Sequence, residues 1–414
     1  MNSKYRQIGG ILLVSGTTIG AGMLALPVVT GLAGFFPSLV LFIIYWLFMT
    51  FTAFLILEVN LWMGEHTNLV SMARATLGKS GATCTWVIYL FLLYTLTTAY
   101  IAGSGPIFIE FVANITGWKA PIWMGPIPLL TIFGFFVYQG TKSVDYVNRI
   151  LMLGLAITFI IITIFLTPNV QANLLEHMDW KYIWMAVSIV STSFGFHIII
   201  PTLTDYLHRD VTQLRRVILI GSCIPLFVYI IWEILTLGII PLYGPNNLVE
   251  GYQQGLDGAT ILSNVLGNSK LAFTSRCFSL FAIITSFLGV SLSLSDFLAD
   301  GFKIRKTAKG RGILYLLTFV PPLLITLVDP RAFLHGLEYA GAFGVVTLLG
   351  LLPVLMVWSG RYYQKRESNF TTPGGKVALT AALLISLAVI GLEVANKANL
   401  LPVNPVKIEQ SRTS

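Results

Sequence analysis

Polar residues are sparse along this chain and gather in short clusters. Between the clusters run apolar stretches of about 20 residues or more, the length a helix needs to cross a bilayer. We read eleven of them, at about 8–33, 36–62, 84–112, 122–140, 147–167, 182–204, 215–240, 274–298, 313–329, 335–358 and 376–396. Two break the pattern at mid-depth. The first carries Val14-Ser15-Gly16-Thr17-Thr18-Ile19-Gly20-Ala21-Gly22-Met23-Leu24-Ala25-Leu26-Pro27, and the sixth carries Val190-Ser191-Thr192-Ser193-Phe194-Gly195-Phe196-His197-Ile198-Ile199-Ile200-Pro201. Small, helix-weakening residues at these depths predict interrupted helices. Unpaired backbone groups are costly in lipid, so an interruption must line a cavity or be buried in protein.

The polar clusters sort by charge. The segment before span 1 and those after spans 2, 4, 6, 8 and 10 hold 18 of the 26 Lys and Arg, including Lys303, Arg305, Lys306, Lys309 and Arg311 in one loop. The other side holds the remaining 8, among them Lys181, Lys270 and Arg331. The positive-inside rule then predicts a cytoplasmic N-terminus and an outside C-terminus, with 397–414 as a short extracytoplasmic tail. Spans 1–5 and 6–10 acquire opposite orientations, with a break in the first span of each set. That is the pattern of an inverted five-plus-five repeat, about 8–167 and 182–358, with span 11 at 376–396 appended to a single membrane domain, 1–396. The linker from about 241 to 273 predicts a small lid helix.

Composition agrees. Mean hydropathy is +0.79, and 11% of residues are charged, where soluble domains carry about 25%. The net charge of +8 follows topology rather than a nucleic-acid surface. Met1 to Gly10 run straight into the first span, so no cleaved signal peptide is expected. Cys84, Cys223 and Cys277 lack metal or redox spacing and read as packing residues.

Paired broken spans point to a secondary transporter's binding site. Backbone N–H groups at Gly20, Ala21 and Gly22, with the positive end of a helix dipole, suit a carboxylate. Freed carbonyls near Ser15, Gly16 and Thr17, bordered by Thr18 and Ile19, suit an ammonium group, as do those near Ser193. Together they suit a zwitterion, and an amino acid is the evident one. Phe194 and Phe196 around Gly195, with Tyr94 and Tyr100 of span 3 and Phe287 of span 8, predict an aromatic-lined pocket.

Ionisable residues inside spans are functional candidates by default. His197 sits in the second break and suits proton transfer or substrate contact. Glu58 in span 2 suits proton coupling or a structural bond to a neighbouring helix, whereas Glu233 in span 7 has no evident partner. Asp296 and Asp300 close span 8 beside the basic loop and suit an inner gate or topology pairs, and Asn148-Arg149 opens span 5 and suits the same gate. Glu110, Glu338 and Glu393 read as solvated outer-end residues. No His-Glu-x-x-His, serine elbow, Asp/His cluster or Gly-Lys-Ser/Thr loop occurs, which argues against an intramembrane enzyme or an ATP-driven pump. No cofactor is called for. A channel or nutrient sensor remains the other class of reading.

The first string, with Ser193-Phe194-Gly195-Phe196-His197 and Pro201, resembles the bacterial hydroxy/aromatic amino acid permease family, the tyrosine and tryptophan permeases. Leu57-Glu58-Val59, Ala99-Tyr100-Ile101, Thr285-Ser286-Phe287-Leu288-Gly289-Val290 and Tyr339-Ala340-Gly341 fit as well. The likeness covers essentially the whole chain and lies nearest the tyrosine permeases. It implies an all-α, LeuT-like membrane fold of eleven spans in the inner membrane, and proton-driven uptake of an aromatic amino acid: tyrosine, with tryptophan or phenylalanine as alternatives. It also implies a lysine in span 5 beyond Asn148-Arg149. Here Ile150 to Ile157 carry no ionisable group. That departure allows sodium as the coupling ion, held by span 1 carbonyls and the hydroxyls of Thr285 and Ser286.

Overall fold

Long apolar runs that cannot leave backbone groups unpaired in lipid become helices, and helices account for nearly all of the computed structural model, which describes residues 3–65, 67–118, 120–398 and 400–401. Among the described residues no strand forms. Ten helices are long and apolar enough to cross a membrane, eleven if the bent pair Tyr5–Thr18 and Ala21–Thr30 counts as one span. With that pair as span 1, the others are Phe35–Leu61, Leu69–Ala113, Ile122–Gln139, Thr141–Asn169, Trp180–Tyr206, Val211–Leu237, Ser269–Phe302, Ala308–Val328, Ala332–Tyr363 and Gly375–Lys397, numbered 2 to 11. They match the sequence reading within a few residues at most ends. The expected tail falls largely on 402–414, outside the described residues.

Span 3 is the main exception. Its helix starts at Leu69, well before the expected 84, because Asn68 and Ser71 form a reciprocal capping box. It then turns at Gly78, whose φ of 77° is open to glycine at little cost. The 241–273 linker forms two short helices, Leu248–Gln254 and Gly258–Val265, rather than one. Asp257 caps the second through the Ala259 and Thr260 amides and accepts from Ser279 of span 8 at 3.0 Å. Burial pushes this carboxyl up from its ordinary value.

Spans 6 and 10 lie in the interior, with 67% and 78% of their most apolar windows buried, against 22% for spans 5 and 9, which form the periphery. Span 10 contains a widened π-helical stretch, Ala340–Leu351, and the Leu337 carbonyl just before it accepts the Thr192 hydroxyl of span 6 at 2.9 Å. At one end of the bundle Glu393 of span 11 accepts from Ser188 of span 6 at 2.7 Å, and Lys397 reaches Glu338 of span 10 at 3.0 Å. Glu338 and Glu393 are buried, which corrects the expectation that both are solvated: Lys397 compensates each of them. Cys84 is exposed, so it does not pack as expected.

Candidate functional site

The two breaks meet. In span 1 the helix ends at Thr18 and restarts at Ala21 with a 50° bend. In span 6 the helix Val187–Ser193 stops, and the chain resumes through the tight turn His197–Ile199 into Ile200–Tyr206. A Cβ at Gly22 would lie 3.0 Å from the Ser193 hydroxyl oxygen and 3.4 Å from Ser193 Cα. Glycine there lets the backbones of the two spans touch.

Tyr229 of span 7 joins them. Its hydroxyl oxygen lies 2.7 Å from the Thr18 carbonyl oxygen and 2.7 Å from that of Ser193, and the residue is fully buried. Both carbonyls end half-helices, where C=O groups lack intrahelical partners. A phenol carries one proton, so it satisfies one carbonyl at a time and leaves the other with unmet acceptor capacity. The Tyr229 ring stands edge-on to Phe194, centroids 5.1 Å apart, and Phe194 leans on Phe42 at 6.2 Å.

The donor side lies across the break. The Ala21 N–H, first of the C-terminal half-helix, donates to the Ser286 hydroxyl oxygen of span 8 at 2.9 Å, and Ser286 also hydrogen-bonds the buried Tyr100. Gly20 has extended backbone angles, φ −167° and ψ −156°, that any residue adopts. What requires glycine is space, because the Ser286 hydroxyl stands too close to the position a Cβ would take. One break therefore presents helix N-terminal amides, and the pair of breaks presents half-helix carbonyls. This polarity fits a carboxylate and an ammonium on one small molecule.

The expected site residues divide. Ser15, Thr17 and Thr18 turn their hydroxyls back onto Ile11, Leu13 and Val14 carbonyls at 3.0, 2.6 and 2.7 Å. The Ser15 carbonyl accepts the Ile19 amide at 2.9 Å, so it is not a free acceptor as expected, and the exposed end moves to Thr18. Gly16 packs against Met152 of span 5, whose methyl would stand 3.4 Å from a Cβ. An apolar side chain thus fills the place beside span 1 on the stretch without a lysine. Gly195 faces Leu349 and Val345 of span 10. Phe196 is buried beside the His197 ring, centroids 5.2 Å apart. His197 aims at span 2, its Nε2 2.8 Å from the Thr52 hydroxyl, and so pins the second break to that helix.

The remaining candidates turn to other partners. Tyr94 donates its hydroxyl to the Leu317 carbonyl of span 9 at 2.9 Å, because it lies about 120° around its helix from Tyr100. Phe287 stacks on Phe319 of span 9 at 5.5 Å, one position round from Ser286. Thr285 donates to the Phe281 carbonyl at 2.8 Å. Arg149 forms an exposed one-turn pair with Asp145 at 2.9 Å, and Asp296 pairs with Lys306 at 2.7 Å, both on exposed side chains. The Glu58 carboxylate is buried and takes Arg361 Nε at 2.6 Å and Nη2 at 2.5 Å, with the Thr372 amide at 2.7 Å. Its acceptor capacity is committed to a structural joint.

Sequence reasoning missed Tyr229. A tyrosine in the middle of an apolar span is a weak signal among 16 tyrosines, and only the meeting of two distant breaks gives it a role. Tyr229→Phe removes the hydroxyl that serves both carbonyls. With an unsatisfied buried carbonyl costing about 1–3 kcal/mol, the expected result is a roughly tenfold or greater fall in uptake with membrane insertion retained. Unchanged transport kinetics would remove Tyr229 from the site.

Comparison with known proteins follows the same lines. A model of the tryptophan/tyrosine permease family matches residues 3–393. The tyrosine-specific transport system 1 of Haemophilus influenzae is 33% identical over 410 residues, covering 96% of this chain and 98% of that protein. The tyrosine-specific transport system 2 of the same organism is 32% identical, covering 97% and 99%. A tryptophan-specific transport protein of Pseudomonas aeruginosa is 30% identical, covering 92% of each.

Proposed function

From the premise that this chain belongs to the tryptophan/tyrosine permease family, and is thus a multi-pass membrane transport protein and not an enzyme, we propose that it imports an aromatic amino acid, tyrosine first, by proton symport with alternating access. The observation that carries this reading is the junction of the breaks, with Thr18 and Ser193 carbonyls around one Tyr229 hydroxyl and the Ala21 amide facing them across the bend. The substrate ammonium takes the unmet carbonyl. The carboxylate takes the amides of Gly20, Ala21 and Gly22, displacing the Ser286 hydroxyl. Phe194, Phe196 and Tyr100 border the side chain, where stacking favours a flat ring. The relatives' tyrosine and tryptophan specificity supports that substrate class.

The architecture proposed for this cycle is the LeuT-like inverted repeat, about 8–167 and 182–358, with span 11 added. It sits in the bacterial inner membrane with the N-terminus in the cytoplasm and the C-terminus outside. The loop charges support that orientation. Spans 1, 2, 6 and 7, joined through Tyr229 and His197, rock against the rest. One observation favours a second reading, in which sodium replaces the proton: Met152 rather than a cation faces Gly16, and the Ser286 hydroxyl stands at the first break.

Thermal stabilisation of the purified protein tests the substrate class. Tyrosine, tryptophan or phenylalanine at 100 times Kd is expected to stabilise it by about 2.7 kcal/mol, a shift that aliphatic amino acids at the same concentration do not give. Equal shifts with leucine and tyrosine would contradict an aromatic pocket.

A further inference from the structure

Glu233 lies one turn beyond Tyr229 on the same face of span 7 and is 1% exposed. Among the described residues it is the one acidic side chain buried within a span that forms no ion pair: Glu58 has Arg361, while Glu338 and Glu393 share Lys397. Its carboxyl meets the hydroxyl of Thr30, at the C-terminal end of the helix Ala21–Thr30 that begins at the first break. Oε2 is buried with no hydrogen-bond partner, and the nearby Ser38 hydroxyl donates to the Gly34 carbonyl at 2.6 Å instead. The titratable groups that neighbouring elements bring to this end of the bundle include Asp179, whose amide donates to the Ala33 carbonyl, Glu250 in the first turn of Leu248–Gln254, and, nearer, His177 and Asp257. His177 lies with its Nε2 2.9 Å from the Leu32 carbonyl, and Asp257 is taken up by its cap amides and Ser279. Neither bonds Glu233.

Donor counting gives the arrangement a direction. Thr30 has one hydroxyl proton and two acceptors in reach, the Glu233 carboxyl and its own Leu26 carbonyl at 2.7 Å. With Glu233 protonated, the acid donates to Thr30 and Thr30 donates to Leu26, so both hydroxyl protons are placed and Oε2 stays as a neutral acceptor without a donor. With Glu233 ionised, Thr30 must abandon Leu26 to serve the carboxylate. The last turn of the half-helix leading from the first break then loses a hydrogen bond, and a charge served only by hydroxyls is left without an ion-pair partner in the interior. The two protonation states therefore hold the C-terminal half of span 1 differently, and that half-helix starts at the substrate's carboxylate site.

We infer that Glu233 is the proton-binding site of the symport cycle. It binds the proton at the end of span 7 assigned to the outside, and Thr30 transmits its state to the half-helix that closes over the substrate. This inference rests on the proton-symport reading.

The test is uptake of labelled tyrosine into proteoliposomes holding wild type, Glu233→Gln or Glu233→Asp, each run in two modes: accumulation under an imposed proton gradient, and exchange against internal unlabelled tyrosine with no gradient. Glu233→Gln mimics the protonated form and is expected to lose accumulation at least tenfold while exchange stays within about twofold of wild type; Glu233→Asp recovers part of the accumulation. Wild-type accumulation in Glu233→Gln would overturn the assignment. So would loss of both modes in Glu233→Gln together with Glu233→Asp, which would mark a structural residue. Exchange without proton-driven accumulation in wild type itself would reject the symport reading and the assignment with it, and is recognised without any variant.

Discussion

Gly20→Leu is expected to lower uptake more than about 100-fold, equivalent to some 2.7 kcal/mol of lost binding and closure, while the protein still inserts and purifies. The backbone at Gly20 is extended and tolerates any residue, so the effect is not one of conformation. It is steric: the Ser286 hydroxyl already stands too close to where a Cβ would go, and that hydroxyl receives the Ala21 amide at 2.9 Å. A leucine drives span 8 from the break and fills the place assigned to the substrate carboxylate. Overpacking of this kind typically costs about 1–3 kcal/mol before any loss of ligand contacts. Gly22→Ala should act in the same direction but more weakly, because a single methyl is far smaller than a leucine side chain, although the Ser193 Cα 3.4 Å from it limits how far it is accommodated. Uptake by Gly20→Leu at the wild-type rate would remove the first break from the binding site.

The second large effect falls on stability. Arg361→Ala leaves the Glu58 carboxylate buried with only the Thr372 amide as partner, and removing one member of a buried pair costs about 3–5 kcal/mol. The same guanidinium donates to the Thr372 carbonyl at 2.8 Å, and Thr372 in turn reaches the Phe54 carbonyl, so the linker into span 11 is released as well. The measurement is thermal unfolding in detergent, with a marked fall in Tm for Arg361→Ala. The double variant Glu58→Gln/Arg361→Gln removes both charges and is expected to recover much of the loss. Equal destabilisation by the single and double variants would show that the bidentate pair holds the joint by contacts other than charge.

Membrane spans were legible because lipid forbids anything but closed backbone pairing, and the apolar runs announce that constraint directly. The breaks were legible for the same reason: glycine, serine and threonine at mid-depth have to be explained. The partners of those breaks were not. Tyr100 and Tyr94 belong to one apolar helix, and only its rotation decides that the first meets Ser286 while the second meets Leu317. Ser286 and Phe287 divide in the same way. Glu338 and Glu393 look solvated by position, yet a single lysine from span 11 allows both to be buried. Tyr229 was hidden more deeply, because its role depends on carbonyls separated by some 175 residues of chain. Hydrophobic patterning sets which segments cross the membrane; which face each turns inward is settled by packing.

In the proposed cycle the junction of the two breaks carries an aromatic amino acid together with a proton. The decisive experiment is uptake of labelled tyrosine into proteoliposomes under an imposed proton gradient alone and then a sodium gradient alone, with unlabelled tryptophan, phenylalanine and leucine as competitors. Accumulation with protons, inhibited by the aromatic competitors and not by leucine, is the predicted result. Accumulation with sodium alone, or inhibition by leucine equal to that by tryptophan, would contradict it.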